Sequence, residues 1–138
     1  IKHFTSAFGE HVIAEEVEFA LNEAIKKQNA LINEFHVAPQ IRVKESEIAY
    51  HEWFVEFETE PANIDQFKID IDNALQRKNS YYLDLRAGNM LDCIRIAKLQ
   101  KGGFNAFMKS RGKLGGQNKT PRLANDREYA DALANYLI

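Results

Sequence analysis

Phe35-His36-Val37-Ala38-Pro39-Gln40-Ile41-Arg42-Val43-Lys44 and, after a polar break at residues 45–47, Glu52-Trp53-Phe54-Val55-Glu56-Phe57-Glu58 decide the fold. In the first stretch Phe35, Val37, Ile41 and Val43 share one face while His36, Gln40, Arg42 and Lys44 share the other, the period of two of a strand. In the second, Trp53, Val55 and Phe57 alternate with Glu52, Phe54, Glu56 and Glu58. Two such stretches in succession predict an antiparallel hairpin, with Trp53 and Phe57 in the core and carboxylates facing Arg42 and Lys44.

Outward from the hairpin the period changes to that of a helix. Ile13, Val17, Ala20, Leu21, Ala24 and Ile25 recur at helical spacing, with glutamates early and lysines late, as the helix dipole prefers. Residues 1–8 are expected to form a linker ending in a strand. Asn63 followed by Gln66 has the form of a capping box, and Ile64, Phe67, Ile71, Ala74 and Leu75 supply the apolar stripe behind it. Residues 81–89 are ambiguous. The apolar run 91–99 reads as a third long strand, Gly102 and Gly103 open a short helix carrying Phe104, Phe107 and Met108, and Asn125 with Glu128 announces a terminal helix. The order (β)αββαβαα predicts an α+β fold over residues 1–138: one domain, with a largely antiparallel sheet of three or four strands and helices packed on one face.

With 138 residues, 45% of them hydrophobic, the chain can bury one ordinary core. No run approaches the roughly 20 apolar residues of a membrane helix, and the first ten residues lack a signal-peptide pattern, so a cytoplasmic protein is the expectation. The chain begins with Ile1 rather than Met, which suits a processed product or a piece of something longer. Cys93, the single cysteine, sits in the apolar run and is expected to be buried and inert. His3, His11, His36 and His51 are scattered, so no metal site is expected, and no signature of a serine or cysteine nucleophile is present.

Charge is unevenly placed along a chain of net charge -2. From Lys98 to Arg122 stand seven basic residues and not one Asp or Glu. Such a segment points either to an anionic ligand or to a solvated surface loop. Its second half, Arg111-Gly112-Lys113-Leu114-Gly115-Gly116-Gln117-Asn118-Lys119-Thr120-Pro121-Arg122, is too rich in glycine for a regular element and reads as a flexible loop that Pro121 stiffens at its exit. A phosphate-binding P-loop does not fit, because that motif sets glycine directly before its lysine and a helix after it. Here Asn118 precedes Lys119 and Pro121 blocks the helix.

Arg111-Gly112, Gln117 and Lys119-Thr120-Pro121-Arg122 resemble the terminal motif of the auxin-responsive acyl-acid amido synthetases of the Gretchen Hagen three type. Phe8-Gly9-Glu10-His11 is similar to the segment after the inter-domain hinge of bacterial members. Tyr50-His51-Glu52-Trp53, Asn79-Ser80-Tyr81-Tyr82 and Gly103-Phe104 also resemble family positions, in colinear order across nearly the whole chain.

The resemblance implies a small carboxy-terminal domain of a two-domain ATP-dependent ligase. In that reaction a carboxylic acid and ATP give an acyl-adenylate and pyrophosphate, and an amino acid amine then displaces AMP. The large amino-terminal adenylating domain, absent from this chain, would be the partner of this one and would bind ATP and Mg2+. The family lysine that reaches the nucleotide corresponds to Lys119; Arg111 and Arg122 are further candidates for phosphate contact, or else pin the loop to the acidic body. Gly9, Gly112, Gly115 and Gly116 are the candidate points of flexibility, and the isolated domain is expected to be inactive. Two other readings stay open: a binding module that meets an anionic ligand or RNA through residues 109–122, which the acidic balance and the core placement of Trp53 and Phe57 disfavour, and an interaction domain in which catalysis has been lost.

Overall fold

The computed structural model describes residues 4–5, 11–41, 47–112 and 121–138. Two short strands, β1 (Phe4–Thr5) and β2 (Val12–Ile13), pair antiparallel and lead into helix α1 (Ala14–Gln28). Glu16 fixes the entry to this helix, its Oε1 accepting the backbone N–H of Ile13 at 3.1 Å. Asn29 ends it in the left-handed region at φ 53°, which asparagine tolerates better than most residues. That single turn delivers the chain almost at once into β3 (Leu31–Gln40).

β3 pairs antiparallel with β4 (Tyr50–Thr59), Phe35 opposite Val55 and Val37 opposite Trp53, so the expected hairpin partners meet. β3 starts earlier than its alternation predicts because its register slips between Leu31, Ile32 and Glu34, and such an irregularity hides the period of two in the sequence. The expected partners Arg42 and Lys44 lie outside the described residues.

After β4 come α2 (Ile64–Lys78) and α3 (Ser80–Ala87). Asn63 caps α2 by accepting from Gln66 N at 3.1 Å, but the Gln66 side chain turns to Asp70 at 2.9 Å, so only half of the expected capping box forms. Asn63 N donates instead to Gln28 Oε1 at 3.2 Å, while Asn79 Nδ2 donates to Glu16 Oε1 at 3.1 Å. The two bonds join opposite ends of α1 and α2, which therefore run antiparallel. Asn79 also caps α3 through Tyr82 N at 2.9 Å, settling the ambiguous residues as a helix.

β5 (Arg95–Lys98) then pairs with β4 in parallel, which completes a sheet of order β3-β4-β5. It is shorter than the apolar run from which it was predicted. Leu91 and Ile94 are buried three residues apart in a loop, where Asp92 N donates to Ala49 O at 2.8 Å and Ile94 N to the Asp72 carboxylate at 3.4 Å. The chain closes with α4 (Gly103–Ser110), α5 (Glu128–Leu133) and a 3-10 turn at Ala134–Tyr136. The Asn125 capping box does not start α5, since Glu128 is the first residue of that helix, its N–H held by Asp126 at 3.1 Å.

The α+β class and the expected order hold, with α3 and a second short strand added. Two particulars differ. The three-stranded sheet is mixed, and helices cover both of its faces. On one side Phe35, Val37, Trp53, Val55 and Phe57 pack against α1 and α2, with Trp53 fully buried and stacked on Phe35 at 6.0 Å between ring centroids. On the other, Ala38 and Phe54 pack against Phe104 and Phe107 of α4 and Ala130 and Leu133 of α5. Phe54 breaks the alternation of β4 with an apolar residue on the second face, and such a face must also be shielded from water. Burying a phenylalanine of this kind contributes about 1.5–3 kcal/mol. Among the described residues no helix is long and apolar enough to cross a membrane.

Candidate functional site

Helix α4 delivers the chain to the glycine-rich stretch. Its entry turns at Gly102, whose φ of 82° suits glycine, and the first N–H groups would lack partners without an acceptor. Buried Glu56 of β4 supplies one, its Oε1 taking the N–H of Phe104 at 3.0 Å while its Oε2 takes Asn33 Nδ2 at 3.0 Å. Gly103 lies close to neighbouring side chains, since a Cβ there would stand 3.3 Å from Leu99. The helix ends at Arg111, and Gly112 follows in the left-handed region at φ 70°.

The Arg111 guanidinium is held on aromatic faces, 5.3 Å from the Phe107 ring centroid and 4.9 Å from that of Tyr129, with Glu128 Oε1 at 3.7 Å. The chain returns at Pro121, whose carbonyl accepts a hydrogen bond from His36 Nδ1. Arg122 O then accepts from Val37 N at 2.8 Å, and Ala124 N donates to Val37 O at 2.9 Å. The return stretch thus bridges to the outer edge of β3 in parallel, with Leu123 buried. Arg122 itself lies over Phe35 at 5.2 Å, with Nε 3.0 Å from Glu34 and Nη1 3.6 Å from Glu18.

Of the residues singled out in the sequence, Arg111 and Arg122 stand at the two ends of the stretch, and both meet carboxylates of the domain's own body. Gly112 occupies a turn that favours glycine. Lys119, Gly115, Gly116 and Gly9 lie outside the described residues. Sequence reasoning passed over His36 and Tyr129. Their rings stand 5.9 Å apart, joining the Pro121 end to the ring that receives Arg111. The available signal was a histidine set in the apolar strand Phe35-His36-Val37-Ala38.

The other motifs serve packing. His51 is buried against Tyr82 at 5.3 Å, Glu52 holds Arg127 at 2.8 Å, Tyr50 lies under Arg95 at 4.0 Å, and Trp53 and Phe57 are in the core. Behind His51 a polar knot forms around Asp72, which accepts from Tyr82 Oη, from Arg86 Nε at 2.9 Å and from Gln76 Nε2 at 2.7 Å. Burial, followed by the adjacent Asp72 charge and its hydrogen bond, holds the Tyr82 phenol well above its ordinary pKa. Burial likewise raises the Cys93 thiol, with Asp72 adding to the effect, although Cys93 is only half-buried and lies in the loop before β5 rather than enclosed in a strand as expected. Among the described residues no cluster of three His, Cys, Asp or Glu side chains could hold a metal ion.

Solved structures that share this fold include two described as acyl acid amido synthetases. One is described as "GH3.15 acyl acid amido synthetase", with a TM-score of 0.77 and 16% identity over 100% of this chain. The other is "AtGH3.15 acyl acid amido synthetase in complex with 2,4-DB", with a TM-score of 0.78 and 16% identity over 99% of this chain. In each case the chain spans 26% of the length of the structure it matches. A comparison with curated proteins gives no match. Residues 15–128, most of the chain, match the model of the GH3 family C-terminal domain, and the chain belongs to that family.

Proposed function

We propose that the chain works as the carboxy-terminal domain of an ATP-dependent acyl acid amido synthetase, of the bacterial branch that its residues 8–11 resemble. Its partner is a large amino-terminal adenylating domain, and the natural setting of an ATP-consuming enzyme of this kind is the cytoplasm. The observation that supports this most is the acid-free basic stretch, seven cations from Lys98 to Arg122, within a domain of the GH3 family.

In the first half-reaction a substrate carboxylate oxygen attacks the α-phosphorus of ATP, the bond to the β-phosphate oxygen breaks, and pyrophosphate leaves. Negative charge concentrates on the phosphoryl oxygens as the bond forms. The Lys119 ammonium, brought to the nucleotide on its four-carbon stem, offsets that charge, and Arg111 and Arg122 are the further phosphate contacts. In the second half-reaction an amino acid nitrogen attacks the acyl carbon, AMP leaves, and the amine gives up a proton. Any magnesium that accompanies ATP would be held mainly by the partner domain. The acid is selected by an acyl pocket that belongs to the partner domain.

In the full-length protein, Lys119→Ala should lower acid-dependent exchange of labelled pyrophosphate into ATP by roughly 100- to 1,000-fold, the loss typical of one preorganised electrostatic donor. A panel of aryl and alkyl carboxylic acids identifies the substrate for the assay. The unfolding midpoint should stay in place. Exchange at the parental rate would refute the role of Lys119.

A further inference from the structure

Arg111 and Pro121, on either side of the glycine-rich half of the basic stretch, are brought together around one ring. Tyr129 receives the Arg111 guanidinium at 4.9 Å and the His36 imidazole at 5.9 Å, and His36 in turn holds the carbonyl of Pro121. From these contacts we propose that His36, acting with Tyr129, is a positioning residue for the basic stretch, tying its return end to the ring on which its departure end rests.

The chemistry of the two partners fixes the direction of the bond. Pro121 has no N–H to offer, so its carbonyl is the backbone handle at that point. A carbonyl only accepts, so His36 donates from Nδ1, and the tautomer is set by the contact. His36 is fully buried in a strand between Phe35 and Val37, where an aliphatic residue would cost no desolvation. An imidazole in that place gives the strand a donor directed at residue 121, across 85 positions of sequence.

The consequence for function concerns Lys119, two positions before Pro121 in the sequence. With Arg111 and Pro121 both held around Tyr129, less chain would have to be ordered when a nucleotide binds. This functional consequence rests on the reading of Lys119 given above; the anchoring itself does not.

The test compares His36→Asn, His36→Gln and His36→Leu in the full-length protein. An asparagine amide nitrogen can take the place of Nδ1, a glutamine amide lies nearer that of Nε2, and leucine fills the space without a donor. Limited trypsinolysis without nucleotide, mapped by mass spectrometry, reads cleavage after Lys113 and Lys119, and thermal unfolding is followed in parallel. Glutamine and leucine should speed cleavage at these sites by about fivefold or more through local release of the stretch, and asparagine should restore the parental rate within about twofold. In pyrophosphate exchange the glutamine variant should lose kcat with little change in KM for ATP, and asparagine should recover it.

Equal cleavage of the asparagine and glutamine variants would overturn the proposal, reducing His36 to a filler of space. Should the leucine variant fail to fold, the asparagine and glutamine pair decides the matter by itself. The two readings fail separately. Cleavage that follows the donor while Lys119→Ala leaves exchange unchanged keeps the anchor and discards the lysine role. Cleavage indifferent to the donor while Lys119→Ala abolishes exchange does the reverse.

Discussion

The carboxylate of Glu56 accepts the backbone N–H of Phe104 at 3.0 Å, so the central strand of the sheet caps the helix that leads into the basic stretch. One oxygen meets the positive end of α4 and the other meets Asn33, which leaves this buried side chain satisfied on both sides. Glu56→Ala should therefore destabilise the domain by about 2–3 kcal/mol, the range of a buried hydrogen bond to a charged acceptor. Glu56→Gln should lose less, because it keeps one oxygen for Phe104 but turns an amide towards Asn33. Urea unfolding monitored through Trp53 fluorescence checks the order, and equal losses for the two variants would contradict this account.

Tyr82 predicts how stability changes at alkaline pH. Its phenol is raised well above the ordinary value of 10.0, first by burial and then by Asp72. The unfolded chain releases the proton near pH 10 while the folded chain keeps it, so the stabilising contribution is complete below that pH and is lost as pH rises towards the folded value. Each pH unit in that window costs about 1.4 kcal/mol. Tyr82→Phe should lower stability at pH 7 by about 1–2 kcal/mol through the lost hydrogen bond to Asp72, yet flatten the decline above pH 10. Urea midpoints at pH 7, 9 and 10.5 measure both effects; parallel curves for the two proteins would show that another group governs the alkaline limb.

Arg122 separates holding from catalysis. Half of its side chain is exposed, and its pairs with Glu34 and Glu18 lie at the surface, where such contacts contribute about 0–1 kcal/mol. Arg122→Ala should thus move the unfolding free energy by no more than about 1 kcal/mol, while pyrophosphate exchange by the full-length protein falls by about tenfold, one charged contact to phosphate. Exchange at the parental rate would confine Arg122 to tethering the chain to the body.

The alternation through Val37 and Trp53 made the hairpin legible, and the helical spacing of Val17, Leu21 and Ala24 made α1 so, because each pattern follows from one face meeting the core. What escaped had a local cause. Leu31 and Ile32 sit at a register slip, so the start of β3 shows no clean period. Leu91 and Ile94 are apolar because they plug the core from a loop, and apolar character alone does not separate a plug from a strand. The parallel pairing of β5 depends on a crossover through α2 and α3, which no neighbouring residues encode. The basic stretch was visible as composition and as a family-like motif. Its anchors were not, because His36 and Tyr129 are far apart in sequence and become neighbours only when α5 packs beneath the sheet.

The bridge between Val37 and Leu123 has a further effect. β3 lies at the margin of its sheet, and an open margin offers rows of unpaired donors and acceptors on which foreign strands can grow. The chain returning from the cationic arm shields part of that border, so the segment that leads back from Lys119 is also a guard against self-association. Release of residues 122–124 would therefore reopen that border to foreign strands.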